Sequence, residues 1–363
     1  MAKNSTLNKA KETRNDEYYT QYDDIQKELN HYEMHFKGKT VLCNCDDPFE
    51  SNFCKFFLKN FNYLGLKRLI CTSYYSSPIL GSQLSLKDNN NETVRAGNGY
   101  VIDVKEVPMT NGRGVSDDDI KSLLNSEKRG VKKLSGDGDF RSVECIEYLK
   151  QADIVVTNPP FSLLIDYFLL LINSRKKFLI IGNPNAIHYK EIFPLVKQNK
   201  IWVGYKSMSA DMLFDVNDDF AKWLIENKKQ GSGYKIVNGV IKGRAQAIWF
   251  TNLDIDKRHE KLILYKRYSP DDYLHYSNFD GIDVNKVSEI PNDYEGYIGV
   301  PDSFMDYYNP DQFEICGLST GDAAKALGVK KNYRGRTDLA YVKDGKNCCP
   351  FSRIIIRKRK YED

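Results

Sequence analysis

The sequence contains no run of eighteen or more apolar residues, so it offers no candidate transmembrane helix. The longest apolar stretch, Ile165 to Ile172, is interrupted by Asp166 and followed at once by Asn173, Ser174 and Arg175. Around Lys3, Asn4, Ser5 and Asn8 the apolar centre of a secretion signal is missing. A cytoplasmic protein without a membrane partner is therefore expected. Eight cysteines are present, yet none forms a Cys-x-x-Cys pair and no histidine stands at zinc spacing beside them. They are expected as reduced thiols packed in a core rather than as disulfides or ligands. His31 and His35, four apart on a predicted helix, lack any further ligand to complete a site, and no metal is assigned.

What is present is a chain of 363 residues, 41% apolar. That length suggests about two domains, at roughly 100–200 residues each. The net charge of +4 is mild, but it is unevenly spread. Twelve acids and a single base, Lys286, lie between Asp271 and Asp322, whereas Lys325 to Lys360 holds twelve bases against Asp338 and Asp344. Such a basic block reads as the footprint of a polyanion, although a solubilising tail would show the same charge. Its cations include Lys330, Lys331, Arg334, Arg336, Arg353, Arg357, Lys358, Arg359 and Lys360, with Tyr333, Tyr341 and Phe351 interleaved.

Ile25, Leu29, Tyr32 and Phe36 recur at helical spacing, and Gly38 ends that helix. Thr40 to Cys43 then reads as a buried strand, and Ser51 or Asn52 can cap a helix whose face is Phe53, Phe56, Phe57 and Phe61. Arg68 to Thr72 is the next strand. Strand, turn, helix and strand within about thirty residues make a βαβ unit, which implies a parallel sheet. After a polar excursion over residues 81–99, order resumes with Tyr100 to Val104. A second βαβ unit is predicted from Ile154-Val155-Val156, a helix marked by Ile165, Phe168, Leu169 and Ile172, and Phe178 to Ile181. The β-like runs Gln246 to Thr251 and Lys261 to Tyr265 can finish the same sheet. The layout predicted is a doubly wound, Rossmann-like α/β domain over residues 1–270 and a smaller α+β region over 271–363.

The sharpest local signal is Asn158-Pro159-Pro160-Phe161, at the C-terminal end of a predicted buried strand, the edge where open α/β sheets bind ligands. A strand-ending turn would explain the prolines alone, but not the flanking asparagine and aromatic ring. The Asn158 side-chain oxygen and the Pro159 carbonyl can accept from the two N–H groups of an exocyclic amine, and so favour a pyramidal nitrogen. Pro160 stiffens the backbone of Pro159, and Phe161 offers a ring for stacking.

Asn158-Pro159-Pro160-Phe161 resembles the catalytic motif of amino-group DNA methyltransferases. Cys43-Asn44-Cys45-Asp46-Asp47-Pro48 within Val41 to Phe57, and the run Phe178 to Ala186, are similar to the EcoRI-type adenine-N6 methyltransferases, over about Asn15 to Phe313. The resemblance implies S-adenosylmethionine (SAM) as methyl donor and double-stranded DNA as partner, with the target adenine flipped out at a cost of a few kcal/mol. A methyl on a sulfonium is already activated, so in-line positioning does most of the work and no strong base is needed. It also implies that Tyr19-Thr20 lines the methionine end of SAM and that Asp139-Phe140 holds its adenine ring. Two departures stand out: the turn from Cys43 to Phe49 has no glycine, and Thr72-Ser73-Tyr74-Tyr75 supplies no acid after the second strand. Asn44, Cys45, Asp46, Asp47 and Pro48 are taken as the cofactor turn, with Asp46 or Asp47 as the missing carboxylate or, equally, an exposed turn.

A restriction–modification role is expected, functionally paired with a nuclease but without a stable complex. Alternatives keep the motif and change the acceptor to an RNA guanine-N2 or a protein glutamine, or leave an inactive DNA-binding relative. Gly136-Asp137-Gly138 permits a close backbone approach to a ligand, or is simply a flexible turn.

Overall fold

The computed structural model describes residues 19–45, 51–74, 99–109, 112, 114–124, 132–216 and 218–359. Two compact units divide the chain: Met1–Pro184 with Ala210–Leu253, and Asn185–Ser209 with Asp254–Asp363.

In the first unit, strand β1 (Tyr19–Thr20) leads into helix α1 (Tyr22–Leu29), a 3-10 turn and the short helix α2 (Glu33–Phe36). The predicted single helix is thus broken at Asn30–Tyr32, yet Ile25, Leu29, Tyr32 and Phe36 are all buried. Strand β2 (Thr40–Cys43) precedes α3 (Asn52–Lys59) and β3 (Arg68–Ser73). Ser51, not Asn52, caps α3: its Oγ accepts from the amides of Phe53 and Cys54 at 3.1 and 3.5 Å. The phenylalanine face of α3 is buried as its spacing predicts. Strand β4 (Tyr100–Val104), α4 (Asp117–Leu124), β5 (Lys132–Lys133), α5 (Val143–Gln151), β6 (Ile154–Thr157), α6 (Leu164–Asn173) and β7 (Lys177–Gly182) follow.

These strands form one large mixed sheet. Its order within this unit is β5-β4-β3-β2-β6-β7, closed on the β7 side by a later strand, Ile248–Thr251. The neighbours β3, β2, β6 and β7 are parallel, while β4 is antiparallel to β3, β5 antiparallel to β4, and Ile248–Thr251 antiparallel to β7. Parallel strands must be covered on both faces, which fits the unbroken burial of β2, β6 and most of β3 and β7. Helix α6 buries Leu164, Tyr167, Phe168 and Leu171 rather than the face of Ile165, Phe168, Leu169 and Ile172. Both sets satisfy helical spacing in a helix this apolar, so periodicity alone could not choose between them.

Beyond α7 (Phe193–Lys197) and β8 (Trp202–Val203), which belong to the second unit, β9 (Met212–Asp215), α8 (Asp218–Asn227), β10 (Tyr234–Val237), β11 (Val240–Ala245) and β12 (Ile248–Thr251) return to the first. A separate four-stranded antiparallel sheet has the order β1-β9-β11-β10.

The second unit contains a five-stranded sheet. Its strands are β13 (Leu274–His275), β14 (Gly281–Asp283), β15 (Tyr297–Val300), β16 (Phe313–Leu318) and, after the hairpin β17 (Tyr341–Lys343) and β18 (Lys346–Cys348), β19 (Ile354–Lys358). The sheet order is β13-β14-β15-β19-β16. Segment 185–209 joins this unit through specific bonds. His188 meets Asp302 at 2.8 Å, Lys197 donates to the Cys316 carbonyl at 2.6 Å, and Asp306 accepts from Ser207 and Met208. Segment 185–209 thus packs with the residues after Leu253 in one compact unit.

Lys261 to Tyr265 is not a strand of either sheet. Its backbone polar groups turn to side chains instead: Gln312 bonds both the Leu262 amide and carbonyl, and Asn292 reaches the Leu264 carbonyl. All eight cysteines are free thiols. Burial raises the Cys145 thiol above its ordinary range and pushes Cys316 up to about 11, which makes both inert. Among the described residues, no helix is long and apolar enough to cross a membrane.

Candidate active site

The C-terminal ends of the parallel strands bring several of the expected residues together. Strand β2 ends at Cys43, and the next two residues turn towards β6: the Cys45 amide donates to Thr157 Oγ1 at 3.2 Å. Thr157 is wholly buried and immediately precedes Asn158. The two turns, one expected to face the cofactor and one to face the substrate, are thus tied by one hydrogen bond.

A second tie runs through a residue that the sequence reading missed. The hydroxyl of Tyr167, on the first turn of α6, donates to Oδ1 of Asn44. Both side chains are buried, and the edge of the Tyr167 ring meets Phe140 with centroids 4.9 Å apart and planes at 83°. Asn44, Phe140 and the helix that follows the Asn-Pro-Pro-Phe corner therefore meet at one phenol. The available signal was a lone hydroxyl-bearing ring in an otherwise apolar helix, since a buried tyrosine needs a partner for its O–H.

At the corner, Asn158, Pro160 and Phe161 are half-buried and Pro159 is buried. All described peptide bonds are trans. Pro160 has φ −56° and ψ 123°, and its carbonyl accepts from the Leu163 amide at 2.9 Å, which closes the 3-10 turn Phe161–Leu163. The corner is thus braced on one side by the parallel sheet and on the other by the start of α6.

Asp139 and Phe140 have different surroundings. Phe140 is buried, whereas the Asp139 carboxylate is engaged by Arg141 through Nε at 2.9 Å, Nη2 at 2.7 Å and the amide at 2.8 Å. The Arg141 guanidinium holds the Asp139 carboxyl below the usual carboxylate range, against the opposing effect of burial. Arg141 also sits 5.2 Å from the centre of the Phe140 ring. Of the two glycines before Asp139, Gly138 is held in a close backbone approach, whereas Gly136 has nothing within 4 Å of where its Cβ would stand. Gly138 has φ +81°, and a Cβ there would stand 2.1 Å from the Ser73 carbonyl oxygen at the end of β3. A Cβ on Gly99 would meet the same oxygen at 2.4 Å.

Thr20 lies on β1, opposite Phe214 of β9, and its carbonyl accepts from Asn52 Nδ2 at 2.8 Å. Asn52, expected only as a possible cap of this helix, instead anchors β1 to the start of α3. Of Tyr19, only the backbone is described. Asp46, Asp47 and Pro48 lie outside the described residues.

The model of the family described as "Adenine-specific methyltransferase EcoRI" matches residues 6–359. The chain is 40% identical over 367 aligned positions to the Type II methyltransferase M.EcoRI of Escherichia coli, with all of both chains covered. This chain belongs to the EcoRI family of adenine-specific methyltransferases. Two further relatives, the Type II methyltransferases M.MpnI of Mycoplasma pneumoniae and M.MgeORF184P of Mycoplasma genitalium, are each 34% identical to it. They align over 98% of this chain and 98% and 99% of their own lengths. No solved structure matches. The family match spans both compact units.

Proposed function

We propose that this chain transfers the methyl group of SAM to the exocyclic amine of an adenine in double-stranded DNA, as the methylating half of a restriction–modification system. The observation that carries the reading is the trans Asn158-Pro159-Pro160-Phe161 corner at the C-terminal end of β6, tied through Thr157 and Tyr167 to the turn that ends β2.

The buried polar groups fit SAM. Asn44 Nδ2 and Thr20 Oγ1 are buried and have no hydrogen-bond partner among the described residues, which is the state expected of groups that wait for a polar ligand. Asn44, Thr20 and Phe140 would hold the cofactor, with Tyr19, Cys45, Asp46, Asp47, Pro48 and Asp139 as further contacts. When bound, SAM supplies a methyl group on a positively charged sulfur. The large sheet would then be the core of a doubly wound methyltransferase fold. Asn158 Oδ1 and the Pro159 carbonyl accept from the adenine amine, Pro160 keeps that carbonyl in place, and Phe161 stacks on the extruded base. Fixing the amine in this orientation provides the rate enhancement that in-line geometry gives. The second unit, which contains all of 271–363, takes the part of target recognition. Its loop from Lys330 to Arg336 presents exposed cations around the buried Asn332, whose side chain bonds the Asp338 carbonyl and the Arg334 amide.

Asn158→Ala and Phe161→Ala are each expected to abolish transfer of tritium from labelled SAM to duplex DNA while SAM still binds. Undiminished transfer by both variants would remove the roles given to the corner. Digestion of the product to nucleosides identifies the methylated base, and N6-methyladenine is the result expected.

A further inference from the structure

From Asn227 to Leu253 the sequence has five bases, Lys228, Lys229, Lys235, Lys242 and Arg244, and no acid. This segment includes the antiparallel ribbon β10–β11, paired Lys235 to Lys242, Ile236 to Ile241 and Val237 to Val240. Asn238 and Gly239 form its tip, at φ +51° and +79°, the left-handed pair that a tight two-residue hairpin requires.

Directly opposed residues share a face, so Lys235, Val237, Val240 and Lys242 lie on one side of the ribbon. The other side is covered at its base next to Gly243, where a Cβ would meet Val216 at 3.1 Å and Leu224 of α8 at 3.9 Å, while nearer the tip Ile236 is 51% exposed on it. On the open side Lys242 is committed to Asp215, but Lys235 is exposed, and Val237 and Val240 are 37% and 54% exposed; Lys229, which precedes the ribbon, is exposed as well. Exposed β-branched residues on a twisted edge ribbon are a liability unless something covers them.

Cations flanking an apolar tip fit one partner best, a nucleic-acid duplex, with phosphates outside and apolar base edges inside the groove. The major groove, about 12 Å wide, admits a two-stranded ribbon and exposes thymine methyl groups. The ribbon's position agrees with this. In the sheet order β1-β9-β11-β10, β11 lies two ladder steps, about 10 Å, from the strand that bears Thr20. Gly243 and Thr20 both pair with Phe214, so the tip projects only about three residues, roughly 10 Å, beyond their level.

We propose that the β10–β11 ribbon is a DNA-contact element of the catalytic unit itself, set into the major groove beside the target base. Lys229 and Lys235 grip phosphates, and Val237 and Val240 press on base edges. This inference rests on the methyltransferase reading above. It assigns to this ribbon a contact that the C-terminal basic stretch does not supply.

The test uses the full chain, a short mixed-sequence duplex in fluorescence anisotropy across a salt series, and SAM binding by equilibrium dialysis. Lys229→Ala with Lys235→Ala should lower duplex affinity and make the slope of log K against log salt shallower by about 2, since each phosphate contact contributes about 0.9. Val237→Thr with Val240→Thr, which keeps the branched shape, should weaken duplex binding several-fold with the slope unchanged. SAM binding should equal wild type in both, which also shows that the variants are folded. Unchanged affinity and slope in both variants would overturn the ribbon's role. So would a dimer, seen by sedimentation, that the valine variant dissolves while duplex binding stays intact. A wild-type chain that binds no duplex and transfers no methyl group would instead overturn the methyltransferase reading beneath it.

Discussion

The turns of the candidate site and the sheet of the second unit are held by different means. At the site, the turns after β2, β3 and β6 are joined by neutral groups: the Tyr167 hydroxyl on Asn44, the Cys45 amide on Thr157, and glycines packed on the Ser73 carbonyl. In the second unit, the sheet is pinned by charge. Arg353 and Asp283 form an ion pair with side chains 7% and 0% exposed, with Nε to Oδ1 at 3.0 Å. Tyr276 donates to the same carboxylate at 2.7 Å, and Asn285 accepts from Arg353 at 2.8 Å. Even Gly299 belongs to this arrangement, because a Cβ there would stand 2.0 Å from the Tyr276 hydroxyl. Burial and the neighbouring Asp283 carboxylate raise the Tyr276 phenol well above its ordinary range, so it stays a donor. A neutral pin lost leaves one unsatisfied dipole, whereas a charged pin lost leaves an isolated ion in the interior. The turns of the proposed cofactor site are thus joined by neutral groups, while the sheet of the second unit loses more when one partner of its buried ion pair is removed.

That contrast sets the order of expected effects. Arg353→Ala should be the most damaging, at about 3–5 kcal/mol, because Asp283 is left buried without its counter-charge. Urea unfolding followed by a probe in the second unit checks this, and a loss under about 1 kcal/mol would break the comparison. Gly138→Ala combines a positive φ with a clash against Ser73 and should cost about 1–3 kcal/mol and lower SAM affinity, measured by thermal unfolding and equilibrium dialysis. Tyr167→Phe removes only one hydroxyl from a buried amide and should cost about 1–2 kcal/mol. It should raise the SAM dissociation constant more than Tyr32→Phe does, where the hydroxyl meets Glu28 at 3.1 Å in another part of the same unit. Equal effects of the two would remove Tyr167 from the site's support.

The smallest effect is the pH dependence from Asp139. Its folded pKa is lowered by Arg141, so the stabilisation is complete above the ordinary carboxylate range, about pH 4, and is lost as pH falls through the depressed value. Because Arg141 is half-exposed, the loss is modest. Arg141→Gln should flatten that acid limb in a stability–pH profile, and an unchanged limb would assign it to other carboxylates.

The C-terminal basic stretch, uniform in sequence, separates in space. Lys330, Lys331, Arg334 and Arg336 are exposed as a polyanion grip requires. Arg353, from the same run, is buried on Asp283, the Lys358 ammonium turns to the Asn292 carbonyl, and Arg359 bonds the Pro310 carbonyl at 2.7 Å. Charge along a chain does not reveal which cations find internal partners, since Asp283 is seventy positions away from Arg353.

Local pattern by itself settled the two βαβ units, the buried faces of α3 and of the broken first helix, and the presence of a polar–proline–aromatic corner after a buried strand. All of these follow from spacing within one element, where the chain's own geometry dictates which residues share a side. Tertiary packing alone decided which face of the apolar helix α6 is buried, that Tyr167 joins Asn44 to Phe140, that Lys261 to Tyr265 pairs with side chains rather than strands, and that segment 185–209 belongs with the second unit. Each of these is a contact between residues far apart in sequence. Their free energy depends on desolvating both partners at once, a quantity that no single stretch of chain carries.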